Sequence, residues 1–450
     1  MRAREQSPAS GRVFPWEAIV RVGFVPVLAR PNGGTVQYSL TMLEALRRLD
    51  TGDPDEALVI FSSDPDVVGP LIDGAPTWRV APPDPPGPAA AVTTALRRMA
   101  RAGPGKILWR ALKPHLVTYP LDVQQVPTNP ALARWYRRAN VELMLYPTHT
   151  QRAFEVGIPY VMALHDLAHR YQAEFPEVAA GFLWEWAEHT CRNGARYATL
   201  LLADSEIGRE EILESYGRFG VTDDQVKVLP FVPPPYLRGK VTGDDRERVR
   251  AKYGLPERYL FYPSDVSPHK NHAQILRALN ILQEDRRTTI PIVFCGFHNG
   301  PHREAYFADV VAFTKRRGLQ ASVTFLDYVP DADMSALYAG ATALVMPTYV
   351  GPTTIPISEA WAQGCPVLTS DIRGIREQAG DAALLVTPGS VDSIAAGIER
   401  LWTDEALRHT LACRGRQRLA AYTFDDFCAR LDGILTEAKA RVRRQTSLKG

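Results

Sequence analysis

The amino-acid sequence predicts an α/β protein built from two parallel, doubly wound sheets. Apolar runs of strand length recur along the 450 residues, and helical patterns lie between most of them. That alternation is typical of parallel sheets with helices on both faces. The proline-rich segment Phe231–Pro235 separates two such series, and the chain is too long for one ordinary domain. We therefore predict two Rossmann-like halves.

The first half is predicted from an opening strand at 21–28, a glycine turn at Pro31–Gly34 and an apolar-periodic helix over Tyr38–Leu46. A strand, a glycine turn and a helix form the start of an α/β unit. Proline crowding at 82–88 indicates a loop. The remaining strands of this half are predicted at 57–61, 141–146, 160–164 and 200–203.

The second half shows the clearer alternation of strands and helices. Its predicted strands are 259–262, 291–295, 323–325, 343–346, 366–369 and 383–386. We assign residues 1–235 to the first domain, 236–425 to the second, and 426–450 to a C-terminal helix and tail. The helix at Phe424–Val442 is predicted to pack back across both domains. Open parallel sheets bind ligands outside the carboxyl ends of their strands, so the residues after each strand are the site candidates.

The composition is that of a soluble globular protein, with 45% apolar and 23% charged residues. The net charge of +2 argues against nucleic acid as a partner. The sequence contains no apolar stretch of the roughly 18 residues that a membrane-spanning helix needs. We recognise no signal peptide, because Arg21 interrupts the first apolar run. Five scattered cysteines without CxxC spacing argue against disulfides and zinc, so we expect a reducing cytoplasm.

The loop after the first strand of the second half carries a lysine at the predicted start of the next helix. Residues Ser264–Asn271 read SDVSPHKN, and Lys270 is that lysine. A helix N-terminus offers unpaired N–H groups and the positive end of its dipole. Together with a full lysine charge, it would suit a diphosphate. A solvated lysine in a polar loop is the equal alternative on this segment alone.

The segment Pro347–Ala360 leaves another strand, turns through glycine and proline, and enters a helix. Thr353, Thr354 and Ile355 can present backbone N–H groups there. Glu359 lies within about the first turn of that helix. Its carboxylate could accept two hydrogen bonds from vicinal ribose hydroxyls. Without further context, an acid favoured by the helix dipole is the stronger interpretation.

Seven motifs in a fixed order resemble those of the family-4 retaining glycosyltransferases of GT-B fold, also called glycosyl transferases group 1. The resemblance covers about residues 20–430. The motifs are NGGTVQY (Asn32–Tyr38), ALHDLAHRYQAEFPE (Ala163–Glu177), LLADSEIGREEI (Leu201–Ile212), YPSDVSPHKNH (Tyr262–His272), FLDYVPDADMSALYAGATALVMPT (Phe325–Thr348), GPTTIPISEAWAQGCPVLTSD (Gly351–Asp371) and GDAALLVTP (Gly380–Pro388). The resemblance is to a subgroup with PHKN and GPT motifs. It implies an acceptor-side domain and a nucleotide-sugar domain facing across a cleft.

The resemblance implies a role for each matching residue. Lys270 would neutralise the donor diphosphate and Glu359 would bind the nucleotide ribose. The other residues that it assigns to the donor are Gly33 and Gly34 of the glycine loop, Tyr328 and Val329 of the base pocket, and Gly351, Thr353, Thr354 and Ile355 of the phosphate and sugar loop. His165 would lie near the reacting sugar and the acceptor hydroxyl.

His165 and Asp166 follow a predicted strand and could form a catalytic dyad, whereas a histidine satisfied inside a polar loop is the alternative. The resemblance favours the catalytic interpretation. It implies retaining transfer of a hexose from a GDP- or UDP-sugar to a hydroxyl of a glycan, glycolipid or natural product, with GDP-mannose the first expectation. In such front-face transfer, the leaving phosphate receives the acceptor proton. Preorganised amides and one lysine would stabilise the diphosphate, so neither a metal nor a cofactor is expected.

Two positions depart from the family pattern. Gly351 stands where many members carry a glutamate that contacts the sugar, and Asp265 stands where many carry an arginine. Lys270 is then the one cation assigned to the diphosphate, and the donor sugar cannot be inferred from the motif. These departures keep two alternatives open, a non-catalytic GT-B subunit and an NDP-sugar epimerase of GT-B fold.

Asp-x-Asp pairs, which bind a divalent ion in some glycosyltransferases of another fold, occur three times. They are Asp53/Asp55, Asp64/Asp66 and Asp331/Asp333. Because aspartate and proline crowd turns for ordinary reasons, we favour turns over metal sites.

A basic stretch at 93–117 also contains leucines and Trp109. Such a segment can lie on an anionic membrane surface, which would place the protein at the inner face of the membrane. Gly103–Gly105 divides it, and a solvated face above a core-facing stripe is the favoured alternative.

Overall fold

The computed structural model describes residues 20–28, 33–53, 57–75, 77–85, 129–237 and 239–447. Within these residues, the chain forms a seven-stranded and a six-stranded sheet, and all strand pairs are parallel. Helices cover both sheets, as the alternating pattern predicts. The basic stretch at 93–117, Asn32 and Asp55 lie outside the described residues.

The first sheet has the strand order β3-β2-β1-β4-β5-β6-β7. Its strands are β1 (Val22–Phe24), β2 (Val59–Phe61), β3 (Arg79–Ala81), β4 (Leu143–Tyr146), β5 (Tyr160–Ala163), β6 (Leu200–Ala203) and β7 (Val226–Val228). The central strands β4, β5 and β6 are buried along their whole length. Such two-sided burial explains why they read as continuous apolar runs.

The second sheet has the order β10-β9-β8-β11-β12-β13. Its strands are β8 (Leu260–Pro263), β9 (Ile292–Cys295), β10 (Val323–Leu326), β11 (Ala343–Met346), β12 (Val367–Ser370) and β13 (Leu384–Val386). The order reverses direction between β8 and β11. In an open parallel sheet, a ligand crevice forms at such a switch point.

The helices in the described part of the chain are numbered here in order. They are α1 (Gly33–Leu49), α2 (Pro65–Val68), α3 (Pro130–Arg138), α4 (Gln151–Glu155), α5 (Ala168–Tyr171), α6 (Pro176–Ala179), α7 (Leu183–Tyr197), α8 (Glu206–Tyr216), α9 (Gly243–Tyr253), α10 (His272–Arg286), α11 (Pro301–Arg316), α12 (Asp331–Gly340), α13 (Ile355–Ala362), α14 (Arg373–Ala379), α15 (Val391–Thr403), α16 (Glu405–Ala420) and α17 (Phe424–Ser447). Within these residues, none of the helices combines the length and apolar character that crossing a bilayer requires.

Helix α17 follows the second domain in sequence but packs on the first. Its buried residues Phe427, Leu431 and Leu435 belong to the same apolar cluster as Met42 of α1 and Leu145 of β4. The long amphipathic helix therefore completes the core of the first domain.

The predicted strands are all present, with ends that differ by a few residues. The largest difference is β1, which ends at Phe24 although the apolar run continues to Leu28. Strands β3 and β7 were not predicted. Both lie at an edge of the first sheet, where one neighbour suffices and an uninterrupted apolar run is not required. Arg79 and Lys227 interrupt the apolar pattern in these two strands.

Candidate functional site

A cleft of about 710 Å³ lies between the two domains, at the carboxyl ends of both sheets. It brings together every residue that the sequence assigns to the site. The first domain contributes Gly33, Gly34, His165 and Asp166, and the second contributes Lys270, Tyr328, Val329, Gly351, Thr353, Thr354, Ile355 and Glu359. The motifs, which are dispersed over more than half of the chain, thus converge on one cavity.

Lys270 lies in a short 3-10 turn, Pro268–Lys270, that precedes α10. The predicted position, at the start of the helix itself, is therefore displaced, because Asn271 intervenes with φ of 68°. Asn271 anchors the turn by donating hydrogen bonds to the carbonyls of Pro347 (2.7 Å) and Pro388 (2.8 Å). The Tyr262 hydroxyl donates to the Lys270 carbonyl at 2.7 Å. These bonds fix the backbone that carries the lysine.

The Lys270 ammonium forms no ion pair within the part of the chain that the structure describes. Burial lowers its pKa, and the charges of Asp265 and Asp166 oppose that effect. A partly buried cation with no carboxylate in contact is electrostatically prepared to receive an anion. The solvated-lysine alternative fits this environment poorly.

Glu359 lies in the second turn of α13 rather than in its first, so the helix dipole does not account for it. The side chain is buried, with 5% exposure. The Tyr236 hydroxyl donates to Oε1 at 2.7 Å and the Tyr338 hydroxyl donates to Oε2 at 2.5 Å. Burial raises the pKa of Glu359, and the two tyrosine hydrogen bonds oppose that rise. Each carboxylate oxygen still has capacity to accept another hydrogen bond.

The loop from Gly351 to Ile355 differs from the prediction in its hydrogen bonding. The Thr354 amide donates to Gln378 Oε1 at 2.8 Å, and the Thr353 hydroxyl donates to Asp204 at 2.6 Å. Two groups that were predicted to contact the donor therefore have protein partners. Their engagement fixes the loop, because one bond joins it to α14 and the other joins it to the first domain.

Gly351 has a φ of 118°, a conformation that side chains with a Cβ rarely adopt. A Cβ added there would lie 3.0 Å from the Thr353 carbonyl oxygen. A glutamate would consequently be strained in this loop. The difference from the family pattern at Gly351 therefore involves the conformation of the loop as well as the absence of a glutamate side chain.

His165 follows β5, and its Nε2 donates to the Pro147 carbonyl at 2.7 Å. The ring also lies edge-on to Tyr38, with centroids 4.8 Å apart. Burial lowers the pKa of His165, although the Pro147 hydrogen bond opposes that effect. Asp166 has a different partner, the Ala168 amide at 3.0 Å. The two neighbours are thus held by separate groups, and the structure does not support the expected dyad.

Tyr328 and Val329 follow β10 and line the cleft near the end of β9. Tyr328 is 40% exposed, and Phe297 stacks on it with ring centroids 5.8 Å apart and planes 18° apart. Sequence reasoning missed Phe297 as well as Tyr236 and Tyr338. Phe297 stands directly after β9, so the rule about carboxyl ends of strands could have found it.

The two domains contact each other close to the cleft. Glu177 Oε1 accepts hydrogen bonds from the backbone amide (2.9 Å) and Nδ1 (2.6 Å) of His269, the residue before Lys270. The Gln37 side chain donates to Asp331 at 3.3 Å. On the next helices, Glu377 of α14 accepts hydrogen bonds from the first amides of α8, those of Glu206 and Ile207, at 3.0 Å.

Two aspartates of the Asp-x-Asp pairs, Asp64 and Asp333, have protein partners. Asp333 is 3% exposed and accepts hydrogen bonds from Arg248, Lys252 and Tyr253 at 2.6–2.8 Å. Although burial alone would raise the pKa of Asp333, these bonds lower it to about 2. Asp64 caps α2 by accepting from the Val67 amide at 3.3 Å. Asp64 therefore has a capping role at the start of a helix, whereas Asp333 lies inside α12 and forms ion pairs with Arg248 and Lys252.

The second domain matches a known protein family. Residues 245–418 fit the model of the family described as glycosyl transferases group 1. This segment is a group 1 glycosyltransferase domain. The group 1 domain contains β8 to β13 and carries Lys270, Tyr328, Val329 and Glu359.

Two curated proteins are similar to part of the chain. Over 240 residues, the chain is 27% identical to the O-antigen chain mannosyltransferase B of Escherichia coli, an alignment that covers 51% of this chain and 58% of that protein. Over 304 residues, it is 23% identical to the D-inositol 3-phosphate glycosyltransferase of a Nocardioides species, covering 64% of each. The chain thus spans about three fifths of the length of the curated relatives it matches.

The likeness to solved structures extends over both domains. The crystal structure of Anabaena HepE in complex with UDP and glucose superposes with a TM-score of 0.65 at 16% identity, covering 93% of this chain and 99% of that one. Likeness at this identity establishes the fold. The group 1 domain and its partner domain thus form the GT-B architecture, and the predicted fold is confirmed.

Proposed function

We propose that the chain is a retaining hexosyltransferase that moves a sugar from a sugar nucleotide to an acceptor hydroxyl. One observation carries the proposal. A lysine, a carboxylate held by two tyrosine hydroxyls, and a histidine from the opposite domain line the same cleft. Lys270 and Glu359 come from the group 1 domain, and His165 comes from the opposite domain. The family match and the named relatives support the same reaction class.

The donor would lie against the second domain. Lys270 would neutralise the diphosphate, and the Glu359 carboxylate, oriented by Tyr236 and Tyr338, would accept hydrogen bonds from the ribose hydroxyls. The base would occupy the space beside Tyr328 and Val329. The Gly33–Gly34 backbone would approach from the other side, since a Cβ at Gly34 would lie 3.7 Å from the Ile355 side chain.

The chemical step requires stabilisation of the negative charge that develops on the leaving diphosphate. Lys270 and the preorganised amides near Ile355 would supply it, and no divalent ion is needed in this scheme. The acceptor oxygen bonds to the anomeric carbon on the face from which the diphosphate leaves, so the anomeric configuration is retained. As the bond from that carbon to the diphosphate breaks, the acceptor proton passes to the leaving phosphate oxygen. His165 donates from Nε2 to Pro147, so its neutral ring keeps Nδ1 as an acceptor that can orient a hydroxyl.

The first donor to test is GDP-mannose. The support is the subgroup resemblance together with a relative named as a mannosyltransferase. UDP-glucose is the second, because the superposing HepE structure is described with UDP and glucose. The acceptor class proposed is a glycan, a glycolipid or a natural product, and the setting is polysaccharide biosynthesis in the cytoplasm.

The test combines donor binding with turnover. The melting temperature would be measured with UDP, GDP and their sugars, and the stabilising donor would then be assayed with a panel of glycan, glycolipid and inositol acceptors in the presence of EDTA. We expect stabilisation by one nucleotide series and metal-independent formation of an α-glycoside. No stabilisation by any nucleotide would contradict the proposal. Turnover without an acceptor would indicate the epimerase alternative, and binding without any turnover would indicate the non-catalytic subunit.

We further propose contact of residues 93–117 with an anionic membrane, motivated by the basic residues of that segment. Sedimentation with vesicles that contain phosphatidylglycerol should capture the protein at low salt and release it at high salt. Capture that does not depend on salt, or no capture, would exclude an electrostatic surface contact.

A further inference from the structure

Arg303 is a second cation that lines the cleft beside Lys270. It lies in the first turn of α11 and is contributed by the segment after β9 rather than by the loop after β8 that carries Lys270. Its Nη1 is 3.3 Å from Oδ2 of Asp265, and about one third of the side chain is exposed. Neither the sequence motifs nor the scheme above gives this arginine a function.

Within the residues that the structure describes, the contact with Asp265 leaves most of the N–H donors of the Arg303 guanidinium without a protein partner. It brings one nitrogen to one oxygen, whereas a guanidinium has five N–H donors in a planar fork. A bidentate pair would direct two parallel donors at the carboxylate. The single contact holds the side chain in the cleft and leaves other donors for a ligand.

Lys270 and Arg303 line the cleft together with the carboxylate of Asp265. The charges of Asp166 and Glu177 also act on the Lys270 ammonium. Burial raises the pKa of Asp265, and the charges of Arg303 and Lys270 oppose that rise. The Arg303 charge also contributes to the lowered pKa of Lys270, so the two cations repel each other until an anion arrives.

The backbone around Gly296 fixes the relative position of the two loops. A Cβ at Gly296 would lie 2.3 Å from the Ser264 carbonyl oxygen, so a residue with a side chain would separate the loops. The Val266 amide donates to the Phe297 carbonyl at 2.9 Å, and the Ser264 amide donates to the Cys295 carbonyl at 2.8 Å. These contacts hold the segment that leads to Arg303 against the loop that carries Asp265 and Lys270.

We propose that Arg303 is the second phosphate-binding cation of the donor site and that Asp265 positions it. The inference rests on the proposed function. The loop after β8 carries Asp265 where many family members have an arginine, and Arg303 supplies that positive charge from a different segment. A diphosphate leaving group carries more negative charge than one lysine neutralises, and arginine can engage two of its oxygens in parallel. Arg303 contacts both the Asp265 carboxylate and the diphosphate, and Lys270 binds the diphosphate from the adjacent turn.

The test measures affinity for the nucleoside diphosphate and for the nucleoside, by calorimetry, using the nucleotide that stabilises the wild-type protein. Arg303→Gln should weaken diphosphate binding by about tenfold or more and leave nucleoside binding within about twofold. Arg317→Gln, at the other end of α11 and outside the cleft, is the matched control for loss of one charge. Unchanged diphosphate affinity in Arg303→Gln would overturn the proposal.

A second comparison separates phosphate binding from a role as the counterion of Asp265. Asp265→Asn keeps an oxygen that can accept from and position Arg303 but removes the negative charge, so in this background Arg303→Gln should again cost about tenfold in diphosphate affinity. Equal affinity of Asp265→Asn and the double variant would overturn the proposal, because Arg303 would then act through Asp265 alone. A loss seen with the sugar nucleotide but not with the diphosphate would overturn it too, in favour of a sugar contact. A wild-type protein that binds no nucleoside diphosphate would instead refute the proposed function.

Discussion

The orientation of Glu359 depends on two tyrosines that are distant from it in the sequence. Tyr236 lies in the connection between the domains, and Tyr338 lies in the last turn of α12. A hydroxyl on each carboxylate oxygen leaves the side chain one orientation and opposes the rise in pKa that burial causes. The direction of the carboxylate is thus set before a ligand arrives, and the same two hydrogen bonds favour its ionised form.

Loss of Lys270 or of Glu359 should impair sugar transfer severely. Lys270→Ala and Glu359→Ala should each lower kcat/KM by about tenfold or more, because a hydrogen bond to a charged group contributes roughly 1.5–3 kcal/mol. Steady-state kinetics with the stabilising donor measures the effect. Lys240→Ala, in the exposed linker, is the control for loss of a lysine. Near-normal rates in both site variants would refute these assignments.

At this scale, the sequence predicts which residues line the cleft but not what holds them. Gly33, His165, Lys270 and Glu359 could be selected because they follow strands or enter helices. Their hydrogen-bond partners could not, because contacts such as Tyr236 with Glu359 connect residues 123 positions apart. The same limit applies to the expected dyad. His165 and Asp166 are adjacent in the sequence, but adjacency does not determine where each side chain is directed, and the two have separate hydrogen-bond partners.

The cross-domain contacts are made by elements whose ends meet at the cleft. Helix α6 carries Glu177, which accepts two hydrogen bonds from His269 in the Pro268–Lys270 turn. Although burial alone would raise the pKa of Glu177, these bonds lower it. The position of the lysine turn is thereby linked to the first domain.

Removal of the Glu177 carboxylate should weaken donor binding more than it slows chemistry. Glu177→Ala frees the turn that carries Lys270, so we expect KM for the donor to rise by about tenfold and kcat to fall less. Steady-state kinetics with varied donor separates the two. Glu174→Ala, an exposed carboxylate three residues earlier, is the matched control. A fall in kcat with unchanged KM would contradict a role in positioning the turn.

Asp204 joins the end of β6 to the donor loop through Thr353 and is 5% exposed. Burial raises its pKa to about 7, although the Thr353 hydrogen bond opposes that rise. A carboxyl with a raised folded-state pKa stabilises the fold at low pH, and that contribution is lost as the pH rises from about 4 towards 7. Burial therefore favours the protonated form of Asp204, although the Thr353 hydrogen bond itself favours the carboxylate.

Asp204→Asn should make this contact insensitive to pH. Asparagine still accepts the Thr353 hydrogen bond but cannot ionise. The Tm of Asp204→Asn minus the Tm of the wild-type protein should increase by roughly several degrees between pH 5 and pH 7 and become constant above about pH 8. Thermal unfolding at a series of pH values measures it. A constant Tm difference across that range would show that the pKa of Asp204 is not raised in the folded protein.

Element boundaries show a similar division between local and long-range information. Buried central strands such as β5 and β11 are recognisable because both faces are apolar. Edge strands β3 and β7 are not, because their residues need satisfy only one neighbour. Domain pairing across the cleft is absent from any local pattern, and the ordered family motifs were required to predict it.

For the whole molecule, α17 makes the stability of the first domain depend on the last part of the chain. The helix begins after the group 1 domain ends, yet Phe427, Leu431 and Ala438 are buried in the first domain. This helix therefore brings the C-terminal part of the described chain back to the first domain. The first domain then cannot complete its core until the second domain and α17 have been synthesised.

Leu431→Ala should therefore destabilise the first sheet more than the second, although it lies nearer to the second domain in sequence. Leu431 has no exposed surface, and such truncations cost about 2–5 kcal/mol. Amide hydrogen exchange followed by mass spectrometry would report β1 and β4 separately from β8 and β11. Asp432→Ala, exposed on the adjacent position of α17, controls for helix propensity. Equal loss of protection in both sheets would mean that the two domains unfold as one unit, and then α17 would stabilise the pair rather than the first domain.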